Sequence, residues 1–566
     1  MTRRATAIWL GAILLGALAL RLVNLGHGLP FAYNADEAEH FVPRALAIAR
    51  GSGLDPGYYE NPPSLTYLLA IVYAVGGTAD AVLTGRVVVA LIGTLVVGLT
   101  FWAGRRAFDE RTGLVAAALM AVAFLPVFYS KHALNDVVTL APVTLALIGA
   151  FLVHERGRWV DYALCGGAIG VATATKYTAG AMLLTLVVAA CLRVLRDRTE
   201  LRRVLLGGLV AGAAFVALFL ILNPYALLNL REVRRQISGQ SGQAAAGKLG
   251  QDDVVGWVYY VGTLGWGLGW IPLAAAVGGA VVALRRDWRR ALLLLALPVF
   301  LYLYMGSQGR YFGRWLLPAY PMLCILAGYG AVALATAVRP DPPTLAAPRR
   351  RGSPPDADRP SSEGTHPEDA RPIDPGVAHD AESSTTIGGS RLRRPALLTV
   401  VLGAVVCAQG LLASVHVDRV LGREDTRTQA LDWLRANVPE RERVVVEPFV
   451  PAGWASEYDR WPVPRPFQAY EKRLRVRDLE AYREGGYCTV VVGSTQKERG
   501  LKAGLRSAER YYPALEDASA ETVRFSPYRE GADAVEFSYD FSFNYAPRAY
   551  ERPGPVVEIH RLRDCG

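Results

Sequence analysis

Long apolar runs dominate residues 1–338 of this 566-residue chain, and short polar segments separate them. A bilayer core about 30 Å thick needs about 20 helical residues to cross it. Eleven runs approach that length and predict transmembrane helices. They are residues 7–26, 82–104, 112–129, 137–153, 160–175, 177–192, 204–222, 256–284, 291–305, 315–337 and 395–413. The shorter run 64–79 fits either a twelfth span or a helix lying flat on the membrane.

Positive charge decides between these two interpretations of residues 64–79. If that helix lies flat outside, the inner segments carry 16 Lys and Arg in 36 residues, and the outer segments carry 10 in 105. Lys and Arg concentrate in short cytoplasmic loops. If 64–79 crossed the membrane, Arg193–Arg203 and Arg285–Arg290 would lie outside. We therefore expect a flat helix within a long outer loop, residues 27–81.

The composition changes after residue 338. Residues 1–338 hold 28 Lys and Arg and 17 Asp and Glu, whereas the shorter remainder holds 33 and 34. Residues 339–394 are rich in proline and charge, which predicts a disordered cytoplasmic linker. The last span, 395–413, then leads outside. The basic residues cluster at the cytoplasmic edge rather than on one face, so nucleic acid is not an expected partner.

Residues 414–566 predict a small extracytoplasmic α/β domain. Glu424–Asn437 is typical of an amphipathic helix, and Val476–Glu484 of a second helix. Val444–Val446 and Thr489–Val492 are typical of short buried strands. Cys488 and Cys565 both fall in this part, and the sequence alone leaves open whether they form a disulfide.

Ionisable residues gather on the outer side of the predicted topology. Ionisable groups near membrane depth usually line a functional cavity. The segments therefore predict one polar cavity with both carboxylates and cations. Its candidate residues are Asp36, Glu37, Glu39, His40, Lys131, His132, Asp136, Lys176, Arg310 and Arg314.

Simpler structural roles compete with these chemical ones. Asp36 is equally suited to cap a helix that begins at Glu37. Asp136 is equally suited to cap the span that follows it. Lys176 and Arg314 have the positions of side chains that extend from a helix end toward the membrane surface. A carboxylate beside cations is nevertheless also suited to catalysis. The carboxylate can take a proton from a hydroxyl group while the cations hold a phosphate.

Several short motifs in residues 8–337 resemble membrane glycosyltransferases of the GT-C fold. The resemblance is strongest to dolichyl-phosphate-mannose–protein mannosyltransferases and bacterial lipid A aminoarabinose transferases. The matching features are Asp36-Glu37, Tyr59-Glu60-Asn61-Pro62-Pro63-Ser64-Leu65, Arg86, Ser130-Lys131-His132-Ala133-Leu134-Asn135-Asp136, Lys176-Tyr177-Thr178, and Arg310-Tyr311 before Leu317-Pro318. Asn61 stands where the aminoarabinose branch often has lysine.

This resemblance implies an inverting glycosyltransferase in the bacterial plasma membrane. It would move a sugar from a polyprenyl-phosphate donor to a hydroxyl of a protein, lipid or polysaccharide on the outer face. Asp36 would be the base, with Glu37 beside it, and no metal is expected. The expected donor-phosphate ligands are Lys131, Lys176, Arg310 and Arg314. The expected substrate-binding residues are Tyr59, Asn61, His132, Asp136 and Tyr311.

Two other functions fit a chain with many spans. A transporter or lipid flippase also needs buried charge, but transporters often show paired halves with interrupted helices. Neither paired halves nor charges at mid-span are found in this sequence. A non-catalytic anchor for residues 414–566 would need far fewer spans. The sequence therefore favours a transferase.

Overall fold

A computed structural model of the chain describes residues 2–251, 253–337, 394–439, 442–447, 475–540 and 546–565. The predicted linker, 339–394, lies almost entirely outside the described residues.

The described part of residues 1–337 is helical throughout. Its helices are α1 (Arg3–Leu22), α2 (Val42–Ala49), α3 (Ser64–Gly76), α4 (Ala81–Ala107), α5 (Glu110–Val122), α6 (Phe124–Tyr129), α7 (Asn135–Val138), α8 (Leu140–Glu155), α9 (Trp159–Thr175), α10 (Met182–Arg196), α11 (Leu201–Leu222), α12 (Tyr225–Leu228), α13 (Leu230–Ala246), α14 (Gly256–Leu264), α15 (Trp270–Arg286), α16 (Trp288–Gly306) and α17 (Tyr320–Ala337). Short π or 3₁₀ turns lie at Asp36–Phe41, Tyr177–Ala181, Arg198–Glu200, Gly265–Gly269 and Gly313–Ala319.

Nine helices of the described residues are long and apolar enough to cross a membrane, where the sequence predicted eleven. The predicted span 112–129 is broken at Ala123, whose extended backbone (ψ 125°) separates α5 from α6. Pro126 lies three residues further on, and proline has no N–H to continue the helical hydrogen bonds across that break. The predicted span 160–175 is α9, a buried helix of 17 residues.

The helix in the outer loop is too short to span. Helix α3 has 13 residues, or about 20 Å at 1.5 Å per residue, against a bilayer core of about 30 Å. Its length agrees with the prediction that 64–79 lies flat.

Residues 394–565 contain the last membrane helix and a small α/β domain. The elements are α18 (Arg394–Leu421), α19 (Thr426–Asn437), β1 (Val444–Val446), α20 (Arg477–Glu484), β2 (Thr489–Gly493), α21 (Ser494–Lys502), α22 (Arg506–Asp517), β3 (Ser519–Phe525) and β4 (Val557–Leu562). The strand order is β1-β2-β4-β3, with β1 parallel to β2 and the other pairs antiparallel. The predicted α/β domain is confirmed, and Cys488 is bonded to Cys565.

Alternation along the strands gives the sheet two apolar faces. Val444 and Val446 pack with α19 on one face, whereas Val445 packs with Tyr511 on the other. Successive strand side chains point to opposite faces, so a short run of valines can serve both cores.

The first outer loop packs into this domain and thereby joins it to the membrane part. Phe31 is buried in the same apolar cluster as α19 and β1. The hydroxyl groups of Tyr33 and Thr428 are 2.9 Å apart, and the Arg427 guanidinium lies 3.8 Å from the centre of the Tyr33 ring. The loop that carries Asp36 is therefore held against the α/β domain.

Candidate active site

A polar cavity of about 380 Å³ lies between one end of the bundle of membrane helices and the α/β domain. Seven of the predicted site residues line it: Asp36, Asn61, His132, Asp136, Lys176, Arg310 and Arg314. The α/β domain supplies the opposite wall through Arg427, Thr495, Tyr539, Tyr550 and the segment 553–555. The predicted meeting of acids and cations from distant segments in one pocket is confirmed.

Asp36 presents its carboxylate to the cavity because another residue caps its helical turn. The side-chain oxygen of Asn34 accepts hydrogen bonds from the backbone N–H groups of Asp36 (3.1 Å) and Glu37 (3.3 Å). The Asp36 carboxylate instead pairs with Arg314, at 2.9 Å between Nη2 and Oδ2. The interpretation of Asp36 as a helix cap is therefore wrong.

A second ion pair joins Asp136 to Lys176 in the same cavity. Asp136 lies inside the first turn of α7, whose N-cap position is Leu134, so the Asp136 side chain does not cap that helix. Lys176 follows α9 and donates to the Asp136 carboxylate rather than extending to the membrane surface. The simpler structural roles proposed for both residues are wrong.

Two further cations come from the segments that precede α14 and α17. Arg310 donates from Nη1 to the side-chain oxygen of Gln243 at 3.1 Å. Lys248 lies 3.7 Å from the centre of the Tyr539 ring. Burial lowers the pKa of Lys248 to about 7, and the positive charge of Arg310 adds to that effect.

Comparisons with known proteins agree with this architecture. Residues 60–222 match the family model described as dolichyl-phosphate-mannose-protein mannosyltransferase. The lipid A galacturonosyltransferase RgtD of Rhizobium johnstonii is 27% identical over 330 residues, which span 56% of this chain and 64% of that relative. The matched region thus covers less than two thirds of the relative's length.

Solved structures share the whole architecture at low sequence identity. The crystal structure of ArnT from Cupriavidus metallidurans bound to undecaprenyl phosphate superposes with a TM-score of 0.53 at 15% identity, covering 100% of both chains. The Archaeoglobus fulgidus oligosaccharyltransferase gives 0.51 at 15% identity, covering 96% of this chain and 76% of that one. The chain has the GT-C fold. The predicted resemblance is confirmed.

Glu37 is part of the GT-C framework here rather than of the cavity. It is fully buried and holds Arg86 through two bonds, from Nε (2.8 Å) and Nη2 (2.7 Å), and it accepts the backbone N–H of Ala133 (2.8 Å). Burial alone would raise the pKa of Glu37, but the ion pair with Arg86 outweighs it and the pKa is lowered. Its predicted place beside the base in the catalytic centre is wrong.

Lys131 also stabilises the fold instead of facing the cavity. Its ammonium lies 2.8 Å from the Asp418 carboxylate and donates to the carbonyl groups of Leu20 and Val23, both at 2.7 Å. These bonds join α18 to the end of α1. The prediction that Lys131 binds a phosphate in the cavity is wrong, because all of its contacts lead elsewhere.

Two predicted tyrosines lie outside the cavity as well. Tyr59 is buried and donates its hydroxyl to Asp55, while Tyr58 beside it lines the cavity and stacks on His40 at 4.3 Å. Tyr311 donates to the carbonyl of Val254 at 3.1 Å and packs on Tyr259. The two motifs that contain Tyr59 and Tyr311 do reach the cavity, as predicted. The side chains that face the cavity, however, are neighbours of the predicted tyrosines, as Tyr58 is of Tyr59.

The sequence interpretation missed several cavity residues. Lys248 carried a signal, since it is the last cation of the outer segment 223–255. Gln243, Phe312 and the α/β-domain residues carried none, because nothing in their local sequence places them against Asp36.

Proposed function

We propose that the chain is an inverting glycosyltransferase. It transfers a sugar from a polyprenyl-phosphate carrier to an acceptor hydroxyl at the outer face of a bacterial plasma membrane. The observation that carries the proposal is the shared cavity, in which Asp36 faces cations from two separate segments, Lys176 from one and Arg310 and Arg314 from the other. The GT-C fold and the similarity to a lipid A galacturonosyltransferase support it.

The cations suit the phosphate of the donor. Arginine grips phosphate through its planar fork, and lysine adds a compact charge. Arg310, Lys176 and Lys248 line the cavity, where a polyprenyl chain lying among the spans would deliver its phosphate. When the bond between the sugar and the phosphate breaks, the leaving phosphate gains negative charge. Positive charges already in place stabilise it without the help of an acid.

Asp36 is the proposed base. The acceptor oxygen attacks the anomeric carbon from the side opposite the phosphate, the carbon–oxygen bond to phosphate breaks, and the acceptor proton passes to the Asp36 carboxylate. Arg314 holds the Asp36 carboxylate at the cavity wall, with 2.9 Å between Nη2 and Oδ2. The step uses no metal ion.

The α/β domain is proposed to cover the acceptor side of the cavity. Its residues Arg427, Tyr539 and Tyr550 form the wall opposite the membrane helices. Its disulfide between Cys488 and Cys565 agrees with an oxidising compartment outside the cytoplasm.

A panel of polyprenyl-phosphate sugars tests the proposal. The purified protein is incubated with each donor, and released polyprenyl phosphate and the sugar product are measured by mass spectrometry. We expect one donor class to be consumed by the wild type and not by Asp36→Asn. Glu39→Gln is the matched control, because Glu39 is exposed on the same helical turn. Consumption of no donor by the wild type, or equal consumption by Asp36→Asn, would contradict the proposal.

The proposed absence of a metal from the transfer step has its own test. Activity that a chelator abolishes and that Mn²⁺ or Mg²⁺ restores would contradict it.

A further inference from the structure

The short segment that carries Asp36 is anchored on both sides of that residue, and the two anchors belong to different parts of the protein. Glu37 follows Asp36 directly and is bound by Arg86 within the membrane part. Tyr33 lies three residues before Asp36 and packs against the α/β domain. The position of the proposed base therefore depends on both parts of the chain.

Two residues in the first turn of α19 hold Tyr33. The Tyr33 hydroxyl oxygen lies 2.9 Å from that of Thr428. The guanidinium of Arg427 lies over the Tyr33 ring, 3.8 Å from its centre, and a cation at such a distance is attracted to the face of the ring. Phe31, two residues earlier in the same loop, is buried in the apolar cluster that includes α19.

The Arg427 side chain is itself held in one orientation. Asp425 caps α19 and accepts the backbone N–H of Arg427 at 2.9 Å. The same carboxylate binds the guanidinium through Nε at 2.8 Å and through Nη2 at 2.7 Å. Such a two-point pair fixes the plane of the guanidinium, and the side chain is only 14% exposed. Tyr33 thus rests on a rigid point of the α/β domain.

Asn34 connects this anchor to the turn that presents Asp36. Its side-chain oxygen accepts the backbone N–H groups of Asp36 (3.1 Å) and Glu37 (3.3 Å), and its carbonyl oxygen accepts that of Ala38 (2.9 Å). All three bonds come from one residue, and that residue directly follows Tyr33. A displacement of Tyr33 therefore moves Asn34 and, with it, the start of the turn.

The placement of the Asp36 backbone matters for proton transfer. A general base must lie within hydrogen-bond reach of the proton that it takes, and an error of about 1 Å can slow a reaction by about 10²-fold. Arg314 contacts the carboxylate, but a long and partly exposed side chain can follow a displaced partner. The turn, in contrast, sets where the carboxylate begins.

We propose that the α/β domain positions the base, with Tyr33 as the positioning residue and with Arg427 and Thr428 as its anchors. This inference rests on the proposed function, because it takes Asp36 to be the group that accepts the proton. The α/β domain thereby affects the rate of transfer through the backbone of the first outer loop, in addition to covering the acceptor side of the cavity.

Hydrogen–deuterium exchange of the full-length chain in detergent tests the anchor without any substrate. The amides of residues 36–38 are compared in the wild type, Tyr33→Ala and Arg427→Gln. We expect faster exchange in both variants, because the turn loses its attachment to α19. Asp432→Asn is the control, since Asp432 is exposed on the same helix and pairs with Arg435. Unchanged exchange in both Tyr33→Ala and Arg427→Gln would overturn the proposal.

Donor affinity and single-turnover transfer test whether the anchor acts on the chemistry. Tyr33→Ala should transfer sugar about 10²-fold more slowly at nearly wild-type donor affinity, because the proposed phosphate ligands are untouched. Arg427→Gln should also be slower, and the double variant no slower than Tyr33→Ala alone, because Arg427 acts through that ring. Losses that multiply in the double variant, or a wild-type rate in Tyr33→Ala, would contradict the proposed route.

A milder pair of variants keeps the test valid if these substitutions impair folding. Tyr33→Phe and Thr428→Val each remove one hydroxyl of the same contact and preserve the shape of the side chain. Each should slow transfer by about 2–10-fold, the range of one hydrogen bond, and the double variant should equal either single variant. A loss of donor affinity as large as the loss of rate would indicate a general structural effect and overturn the proposal.

Failure of the proposed function would give a different result. A wild type that consumes no donor would contradict the assignment as a glycosyltransferase, whereas the exchange measurement would still report whether Tyr33 anchors the turn.

Discussion

Two sets of ion pairs lie close together in this protein and differ in what surrounds them. The cavity pairs are Asp36–Arg314 and Asp136–Lys176, which line the polar cavity. The buried pairs are Glu37–Arg86 and Lys131–Asp418, and of these four residues only Arg86 contributes to the cavity wall. The side chains of Asp36 and Arg314 are 30% and 20% exposed, whereas those of Glu37 and Arg86 are 0% and 1% exposed.

The difference shows how one short motif serves two purposes. Asp36 and Glu37 are adjacent, and on a helical turn adjacent side chains point in different directions. One carboxylate therefore reaches the cavity and the other reaches Arg86. The partly exposed pair Asp36–Arg314 can exchange its partners for a substrate, whereas the buried pairs cannot separate without leaving a charge in an apolar interior.

Breaking a buried pair should have the largest effect on folding. Glu37→Gln leaves Arg86 buried without its carboxylate, which typically costs about 3–5 kcal/mol. We expect a low yield of folded protein and a strongly lowered midpoint in thermal unfolding of the detergent-solubilised chain. Asp36→Asn, one position away, should change stability by about 0–1 kcal/mol, because that pair is partly solvated. Equal stability of the two variants would remove the distinction between the sets.

A buried carboxylate paired with a hydroxyl should behave differently from one paired with arginine. Glu447 accepts a hydrogen bond from Tyr512 at 3.2 Å, and burial raises the pKa of Glu447 to about 8. Below its folded pKa it stays protonated in the folded chain, while the unfolded chain ionises near pH 4.5. The folded state therefore holds the extra proton, and stability falls as pH rises through this window, by at most ~1.4 kcal/mol per pH unit.

Glu447→Gln should remove this slope. Thermal unfolding is measured from about pH 5 to pH 8 for both proteins. We expect the unfolding midpoint of the wild type to fall relative to that of the variant as pH rises. A constant difference between the two across this range would contradict the assignment of a protonated Glu447.

The smallest expected effect concerns Lys248 in the cavity. Because its pKa is lowered to about 7, Lys248 is charged below that pH and neutral above it. If it holds the donor phosphate, donor affinity should fall by about tenfold as pH rises from about 6 to 8, the value of a lost charged hydrogen bond. Lys248→Arg keeps its charge and should abolish the dependence.

The ligand used in this experiment must not change its own charge over the pH range measured. A sugar-linked polyprenyl phosphate is a diester and does not titrate in this range, unlike a monoester, whose second pKa is about 6. Binding of the intact donor is therefore measured. The same pH dependence in the wild type and in Lys248→Arg would exclude Lys248 as its source.

Much of the fold followed from periodicity, because a bilayer imposes long apolar runs and a soluble domain imposes short ones. The strands at Val444–Val446 and Thr489–Val492 were located to within a residue. The break at Ala123 was missed, since an apolar run shows its length but not an interruption of its hydrogen bonds.

The sequence predicted correctly which segments of the chain form the cavity. It predicted less well which side chains of those segments face the cavity. The sequence placed Asp36, Lys176 and Arg310 on one side of the membrane, and they line one cavity. It could not distinguish Lys131 from Lys176, because the partner of Lys131 is Asp418, 287 positions later in the numbering. Which way Tyr58 and Tyr59 point likewise depends on tertiary packing rather than on local pattern.

The central claim is that Asp36 performs the chemistry on a donor held by other residues. Binding and a single turnover of the donor are therefore measured separately in the wild type, Asp36→Asn and the control Glu39→Gln. The account predicts that Asp36→Asn binds the donor nearly as well as the wild type but transfers its sugar about 10²–10⁴-fold more slowly, while Glu39→Gln does both normally. Transfer by Asp36→Asn at the wild-type rate would contradict it.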